Sequence, residues 1–543
     1  MTRTVITGAK IFTADGAGSW SHAIAVDGDR IVALGDAALA RTDGADTVID
    51  ARGRLVVPGF QDAHVHAPFA GNDLRHVWLN DTEATADAYL AAVADYARAH
   101  PDEEWIVGGG WYMEAFPGGT PHRDLLDAVV PDRPVFLMNR DVHGAWANSK
   151  ALELAGLDRS TPDPADGRYE RDADGELTGC LHEGAAYAFR DTVAPTPTVD
   201  DWVDGILTAQ TYLHSLGITG WQDAWVTPQT LQAYRRLAAD GRLTARVVGA
   251  QWWERSEGLE QIDRFVAQRD LGAPGFDPSR VKIMVDGVLE NHTGSLQEPY
   301  CDGCGGYLMS ADGPNRGLTY VDPEILKRAV TELDRLGFSV HMHAIGDAAV
   351  RRCLDAVEAA RLDHGYRDTR HHIAHVQLVH PDDVPRFQQL GVTVNAQALW
   401  ACNDRQMTQL TLPYLGAERS GWQYPFGSLA AAGATLAMGS DWPVSTPDPL
   451  AQIEVAVNRK DPGDRDAAPL LPHEALTLSG ALRAFTAGSA HINGDDDAGR
   501  LAVGRRADLA VLDRDIFTDP TRVADAHVTL TMASGRVVHT APA

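Results

Sequence analysis

The 543-residue sequence has few cysteines, few basic residues and no long apolar run, and each shortage excludes a class of protein. Its 47 Lys and Arg residues are outnumbered by 75 Asp and Glu residues, which gives a net charge of −28. This charge argues against a nucleic-acid partner, because contacts to phosphates require a basic surface. No apolar stretch reaches about 18 residues, so neither a transmembrane helix nor a membrane partner is expected. Residues 1–15 lack a basic segment followed by a long apolar one, so we expect no signal peptide.

Cysteine occurs only five times, and this odd, sparse set is typical of a reducing compartment, so we expect a cytoplasmic protein. The five are Cys180, Cys301, Cys304, Cys353 and Cys402. Cys301 and Cys304 form a single CxxC pair, whereas a structural zinc site normally has four ligands. We therefore interpret the pair as two loop thiols.

The central part of the chain alternates short apolar runs with amphipathic stretches, which predicts parallel strands joined by helical crossovers. The candidate strands are Leu55–Val57, Val135–Met138, Ile218–Trp221, Arg246–Ala250, Val281–Val285, Ser339–His343, His372–Val376, Val392–Asn395 and Thr435–Met438. The candidate helices are Asp87–Ala99, Val199–Leu216, Pro323–Leu336 and Ala348–Ala360. A TIM (β/α)8 barrel takes about 250 residues or more, so the length suits an α/β barrel with accessory parts. Nine candidate strands exceed the eight that a barrel needs, so one of them is expected to lie outside it.

The two ends of the chain resemble each other, because both contain hairpin signatures. Residues 23–34 and 528–539 each hold two strand-like runs around a turn, and 507–512 adds a further run. Neither end has enough strands for a stable sheet alone. We therefore predict a small β-sandwich domain built from residues 1–54 and 491–543, a catalytic barrel over 55–490, and an insertion within about 74–190.

The strongest chemical signal is the run Pro-Gly-Phe-Gln-Asp-Ala-His-Val-His, which ends at His66. Alternate residues of a strand point the same way, so His64 and His66 would face one interior together. Imidazole is a suitable ligand for zinc and similar ions. A lone HxH pair is more often incidental, but the Pro-Gly-Phe-x-Asp prefix makes this one specific.

Four further candidates, Lys282, His343, His375 and Asp441, lie at or near the ends of other predicted strands. Singly, each has an ordinary structural explanation, such as a core histidine, a helix cap or a solvated lysine. Together they place potential ligands at the carboxyl ends of barrel strands, where TIM-barrel enzymes build their sites.

The chain resembles the amidohydrolase superfamily, and within it the amidohydrolase-3 or YtcJ-like group that includes N-substituted formamide deformylases. The matching motifs are PGFQDAHVH, RDVHGAWANSKAL, TGCLHEGA, KIMVDG, EPY, HAIGD, HVQ, GSDWP and GRRADLAVLD, which span nearly the whole chain. The resemblance implies a barrel enzyme that hydrolyses a C–N bond with one or two divalent metals, zinc being the first choice. It also implies the metal ligands, which would be His64, His66, a carbamylated Lys282, His343, His375 and Asp441.

The resemblance also suggests roles for residues around the metals. Asp441 would be a proton shuttle, and His143 is a candidate for stabilising the oxyanion. Glu183 is an alternative bridging carboxylate or a supporting residue. The related motif usually reads Ile-Glu-His, whereas Ala374 precedes His375 here, so a supporting carboxylate is absent. The candidate walls of the substrate pocket are Trp111, Tyr112 and Trp442.

Several functions remain open at this point. The leading hypothesis is hydrolysis of a small-molecule linear amide, with an N-substituted formamide as the first candidate. A deaminase on the same fold typically carries His-x-x-Glu, which follows neither His343 nor His375. An esterase, a cyclic amidase and a non-catalytic binding or regulatory relative are further alternatives. A serine hydrolase is excluded because no Gly-x-Ser-x-Gly motif is present. A homodimer is the default expectation for the oligomeric state.

Overall fold

A computed structural model describes residues 2–303, 305–310 and 313–542, and its centre is an eight-stranded parallel sheet that curls into a near-closed barrel. The strands, in chain order, are β1 (Phe60–Val65), β2 (Ile218–Val226), β3 (Arg246–Trp252), β4 (Phe276–Met284), β5 (Ser339–Ala344), β6 (His372–His375), β7 (Thr393–Ala396) and β8 (Leu436–Met438). Each strand pairs with its neighbour in chain order. The segment after β8 meets β1, where the Asp441 N–H donates to the His64 carbonyl at 2.7 Å. The predicted α/β barrel is thus confirmed.

Helices connect successive barrel strands, as the alternating pattern predicts. They are Val199–Ser215, Pro228–Ala239, Ile262–Arg269, Pro323–Arg335, Asp347–His364, Val384–Leu390 and Phe426–Ala431. Further helices cover Ala67–Asp73, Pro449–Asn458, Leu478–Arg483 and Ser489–Ile492. Local sequence fixes where several begin: Thr198 and Thr227 each form a capping box that satisfies backbone N–H groups of the first turn.

Two of the nine predicted strands lie outside the barrel, and one strand of the barrel was not predicted. Leu55–Pro58 pairs antiparallel with Leu509–Leu512 in a sheet formed by the chain ends. Val135–Asn139 lies in a separate sheet of the insertion. The missed strand is β1 itself, which carries His64. Gly59 separates β1 from the preceding strand, and a side chain there would collide with Thr219, whose Oγ1 would lie 2.5 Å from the added Cβ.

The segment between β1 and β2 contains a second, six-stranded sheet. Its strands are Val77–Trp78, Ile106–Trp111, Val135–Asn139, Gly144–Ala147, Gly167–Arg171 and Leu177–Glu183. Its helices are Ala86–Ala99, Arg123–Val129, Ser149–Ala155 and Gly184–Thr192. Buried aromatic side chains, among them Tyr89, Phe116 and Trp146, give this sheet a core of its own. Because it follows the carboxyl end of β1, the insertion stands over the end of the barrel where ligands bind.

Two further sheets share a core, and the second of them combines strands from both chain ends. One contains Arg3–Thr7, Ile24–Asp27, Arg30–Leu34 and Thr47–Asp50. The other contains Lys10–Phe12, Trp20–Ser21, Leu55–Pro58, Leu509–Leu512, Val528–Ala533 and Arg536–Thr540. Ile6 and Val26 of the first sheet pack with Val56 and Val511 of the second. The predicted pairing of the two ends and both predicted hairpins are confirmed.

The remaining global predictions concern membranes and thiols. Within the described ranges, no helix has both the length and the apolarity that crossing a membrane requires. Cys180, Cys353 and Cys402 are buried free thiols, and Cys301 is partly buried. Cys304, the second member of the CxxC pair, lies outside the described residues.

Candidate active site

Histidines from two barrel strands converge with Asp441 at the carboxyl end of the barrel. Asp441 Oδ1 lies 3.2 Å from His64 Nε2 and 3.0 Å from His66 Nε2. Its other oxygen, Oδ2, lies 3.7 Å from His375 Nδ1. Each of His64, His375 and Asp441 offers a ligand atom, and these three atoms lie within 4.8 Å of one another. The barrel thus brings two nitrogen donors and a carboxylate around one point.

These side chains have the unsatisfied polar atoms that a bound cation would explain. His375 Nδ1 and Asp441 Oδ1 are buried, yet neither makes a hydrogen bond of ordinary geometry. Buried polar atoms are nearly always paired, so two such atoms in one cluster need a partner. Burial lowers the pKa of His64 to about 3 and that of His375 well below its usual value, so both rings are neutral and can donate lone pairs. The donor set therefore fits a divalent cation.

Lys282 and His343 border this cluster. Lys282, on β4, is buried, and its Nζ lies 3.3 Å from His64 Nε2. Burial lowers the pKa of Lys282 to about 7. The His343 ring centre lies 4.4 Å from that of His375, but His343 Nε2 is directed to the Gly287 carbonyl at 3.2 Å. All six residues suggested by the resemblance are thus neighbours, although His343 Nε2 faces the backbone.

Asp62, which no sequence motif singled out as a site residue, connects two segments of the candidate site. Its Oδ1 accepts the backbone N–H groups of His64 and Ser440, each at 3.0 Å. It therefore connects β1 to the loop that carries Asp441. The signal was present in the sequence, because Asp62 stands two residues before His64 and so shares its face of the strand.

His143 and Glu183 form a buried pair on the insertion side of the cavity. His143 Nδ1 lies 2.9 Å from Glu183 Oε2, and Thr293 Oγ1 donates to Glu183 Oε1 at 2.8 Å. Burial alone would lower the pKa of His143, but the charge and hydrogen bond of Glu183 outweigh it and raise that pKa to about 9. His143 is therefore a cation at neutral pH. Glu183 lies against His143 and Thr293 and is not part of the three-residue ligand cluster.

A cavity of about 1130 Å³ opens beside the cluster, and its walls differ from those predicted. Tyr112 lines it, with the Arg140 guanidinium stacked 4.2 Å from its ring centre. Trp111 and Trp442, the other two predicted wall residues, are not among the residues that line it. The Trp111 ring is buried in the insertion core, where its Nε1 donates to the Leu137 carbonyl at 2.9 Å. The Trp442 ring packs against Tyr212, with ring centres 5.3 Å apart.

The aromatic walls come instead from other strand ends and loops. The Trp225 ring centre lies 6.3 Å from His66, 5.9 Å from Phe69 and 5.6 Å from Trp252. On the opposite side, Trp400 stacks on His375, with ring centres 5.5 Å apart and an interplanar angle of 14°. The site is therefore flanked by apolar rings on both sides.

Comparison with known proteins agrees with this geometry. Residues 47–539 match the model of the amidohydrolase family Amidohydro_3. The chain is 30% identical to the protein YtcJ of Bacillus subtilis, over 90% of each chain. It is 29% identical to the N-substituted formamide deformylase of Arthrobacter pascens, over 94% of this chain and 93% of the relative. An uncharacterized metal-dependent hydrolase from Pyrococcus furiosus superposes with a TM-score of 0.71 at 29% identity, covering 96% of this chain and all of the other. With a metal-ligand cluster at the mouth of its barrel and a family match over most of its length, the chain belongs to the amidohydrolase family.

Proposed function

We propose that this protein hydrolyses the C–N bond of a linear amide, with an N-substituted formamide as the leading substrate. The observation that carries the proposal is the cluster of His64, His375 and Asp441 beside the cavity, in which His375 Nδ1 and Asp441 Oδ1 are buried and unpaired. The full-length similarity to a formamide deformylase supports the choice of substrate.

The ligands for a divalent cation would be His64, His66, His375 and Asp441. Zinc is the first choice, because nitrogen and carboxylate ligands suit it. Bound there, the cation would supply Lewis acidity toward a carbonyl and lower the pKa of water. Asp441, within reach of His64 and His66, would take a proton from the attacking water and return it to the leaving nitrogen.

The charge of His143 gives it a distinct role. Since Glu183 contacts Nδ1, the other ring nitrogen is available to donate a hydrogen bond toward the cavity that His143 lines. A cationic donor in a buried site stabilises negative charge on the carbonyl oxygen as water adds. His143 would therefore stabilise the oxyanion.

Lys282 would act as a carbamate that bridges two cations. Only a neutral amine can attack carbon dioxide, and the lowered pKa of this buried lysine makes the neutral form abundant. The new N–C bond releases one proton and converts the side chain into an anion with two ligand oxygens. Lys282→Ala should lower the metal content, whereas two metals retained by that variant would contradict the bridge.

The rings around Trp225 would hold the substituent on the substrate nitrogen. Phe69, Trp225 and Trp252 form a cluster of rings that begins 6.3 Å from the His66 ring, and the Arg190 guanidinium lies 4.4 Å from the Trp225 ring centre. Burying an aromatic substituent there gains roughly 1.5–3 kcal/mol, whereas a methyl group gains far less. We therefore expect large apolar N-substituents to be preferred.

The test is to measure amine and formate release from formamides that carry methyl, butyl and benzyl substituents. N-acyl amino acids, cyclic amides and esters complete the panel, and bound metal is counted in the same preparations. Cleavage of esters or cyclic amides without formamides would refute the substrate assignment and leave the hydrolase intact. Turnover by metal-free protein would refute the whole proposal, and bound metal with no turnover of any substrate would favour a binding role.

A further inference from the structure

A layer of polar side chains lies inside the barrel directly beneath the cluster of candidate metal ligands. Four residues of this layer are buried: His341 on β5, Gln222 on β2, His372 on β6 and Asn493, directly after the helix Ser489–Ile492. Barrel interiors are usually filled by branched apolar residues, which pack without the cost of burying polar groups. The polar layer therefore calls for a function other than packing.

The layer forms a chain of hydrogen bonds that ends on a metal ligand. Gln222 Nε2 donates to Asn493 Oδ1 at 3.1 Å, which turns Gln222 Oε1 toward His341 Nδ1 at 2.8 Å. The remaining nitrogen of His341, Nε2, lies 2.9 Å from His64 Nδ1. The chain thus runs from Asn493 to His64 without interruption.

The direction of these bonds decides which nitrogen of His64 carries the proton. An amide oxygen only accepts, so His341 must be protonated on Nδ1. A neutral His341 then accepts at Nε2, and His64 must donate from Nδ1. His64 Nε2 is then left with a lone pair directed at the ligand cluster, where Asp441 Oδ1 lies 3.2 Å away.

We propose that His341 and Gln222 are positioning residues that lock His64 in the tautomer able to bind metal through Nε2. This inference rests on the proposed metal site. The partner of a ligating histidine fixes both the tautomer and the ring orientation, and removing such a partner typically costs about 10- to 100-fold in metal affinity.

His372 provides a matched control. Its Nε2 lies 3.0 Å from the same Gln222 oxygen, and its Nδ1 lies 3.2 Å from the Arg370 carbonyl. It is as buried as His341 and belongs to the same layer, but its ring nitrogens face Gln222 and Arg370 and not the cluster. Substituting it therefore removes a buried imidazole without removing the partner of His64.

The experiment measures zinc affinity by competition with a chromophoric chelator in the full chain. His341→Leu should weaken binding about 10- to 100-fold, whereas His341→Gln, whose amide oxygen can accept from His64, should stay within about 3-fold of the parent. His372→Leu should also stay within about 3-fold. Unfolding temperatures measured in excess chelator show whether each metal-free variant is folded.

Gln222 gives a second pair of variants should His341→Leu not fold. Gln222→Met removes the oxygen that accepts from His341 and should weaken zinc binding. Gln222→Glu keeps such an oxygen and should not weaken zinc binding. Equal zinc affinities for parent, His341→Leu and Gln222→Met would overturn the inference and leave the proposed function intact. A fall of equal size in His341→Leu and His372→Leu would also overturn it, because burial alone would then explain both. A parent that binds no zinc would overturn both the inference and the proposed function.

Discussion

Glu183→Gln tests whether the charge on His143 matters for catalysis. The variant keeps the size of the side chain and removes the charge that raises the pKa of His143 to about 9. Without that charge, burial should leave the pKa at or below its unperturbed value of about 6.5. Because the protonated ring is the proposed donor, activity should be lost as pH rises through this pKa.

The size of the effect follows from these two pKa values. At pH 8 a group with a pKa of about 9 is about 90% protonated, and one with a pKa of about 6.5 is about 3% protonated. The kcat/KM of Glu183→Gln should therefore fall about 30-fold at pH 8 but less than about 2-fold at pH 6. In the parent, activity should decline only near pH 9.

The assay is a profile of kcat/KM between pH 5.5 and 10 on the best formamide. Glu170→Gln is the control, because Glu170 lies 3.3 Å from His182 in the same sheet and neither residue lines the cavity. A loss in Glu183→Gln that is uniform across pH would refute the role of the charge. A loss of bound metal in Glu183→Gln would instead indicate that Glu183 is itself a metal ligand.

Further predictions concern the proton shuttle, the metal, the aromatic wall and the barrel scaffold. Asp441→Asn should keep most of the bound metal and lose about 10²- to 10⁴-fold in kcat, measured on saturating substrate; full activity would exclude the shuttle. Chelation should abolish turnover and added zinc should restore it, with metal content followed by mass spectrometry. Trp225→Ala should raise KM about 10- to 100-fold for N-benzylformamide and little for N-methylformamide; equal effects on both would place the substituent elsewhere. Burial raises the pKa of Asp334, but hydrogen bonds led by that of His371 outweigh this and lower it, so its stabilisation is present above its unfolded pKa and is lost in acid. Asp334→Asn should thus lower the free energy of unfolding by roughly 2–5 kcal/mol at pH 7 and by much less near pH 2, measured by urea titration.

The sequence predicts most of the barrel because its strands are apolar runs between helices with clear caps. It fails at β1, whose interior residues include Gln61, Asp62 and His64, so that this strand does not have the apolar pattern of a buried strand. The apolar run just before it, Leu55–Val57, has that pattern, so the sequence predicts a barrel strand there instead. A buried strand that contains candidate ligands is therefore hard to recognise from its apolar pattern.

The sequence predicts that the candidate ligands lie close together, but it does not predict which residues line the cavity. The ligands follow motifs at strand ends, where the barrel fixes their direction. The direction of a loop side chain depends instead on local backbone conformation. Asp441 has a φ of 56°, and its neighbour Trp442 packs against Tyr212 and not along the cavity. Trp225 and Trp400 meet the site from distant parts of the sequence, and no local pattern relates them.

The single residue Gly59 separates a strand of the terminal sheet from the strand that carries His64, and this affects how the protein matures. Leu55–Pro58 is completed on one side by Leu509–Leu512, which lies far later in the sequence. Until those residues emerge, the segment leading into His64 keeps an unpaired, apolar edge that can aggregate. A chain truncated before residue 509 should therefore assemble the proposed metal site poorly even though every candidate ligand is present. Folding of the strand that carries His64 thus depends on a strand more distant in sequence than any candidate ligand.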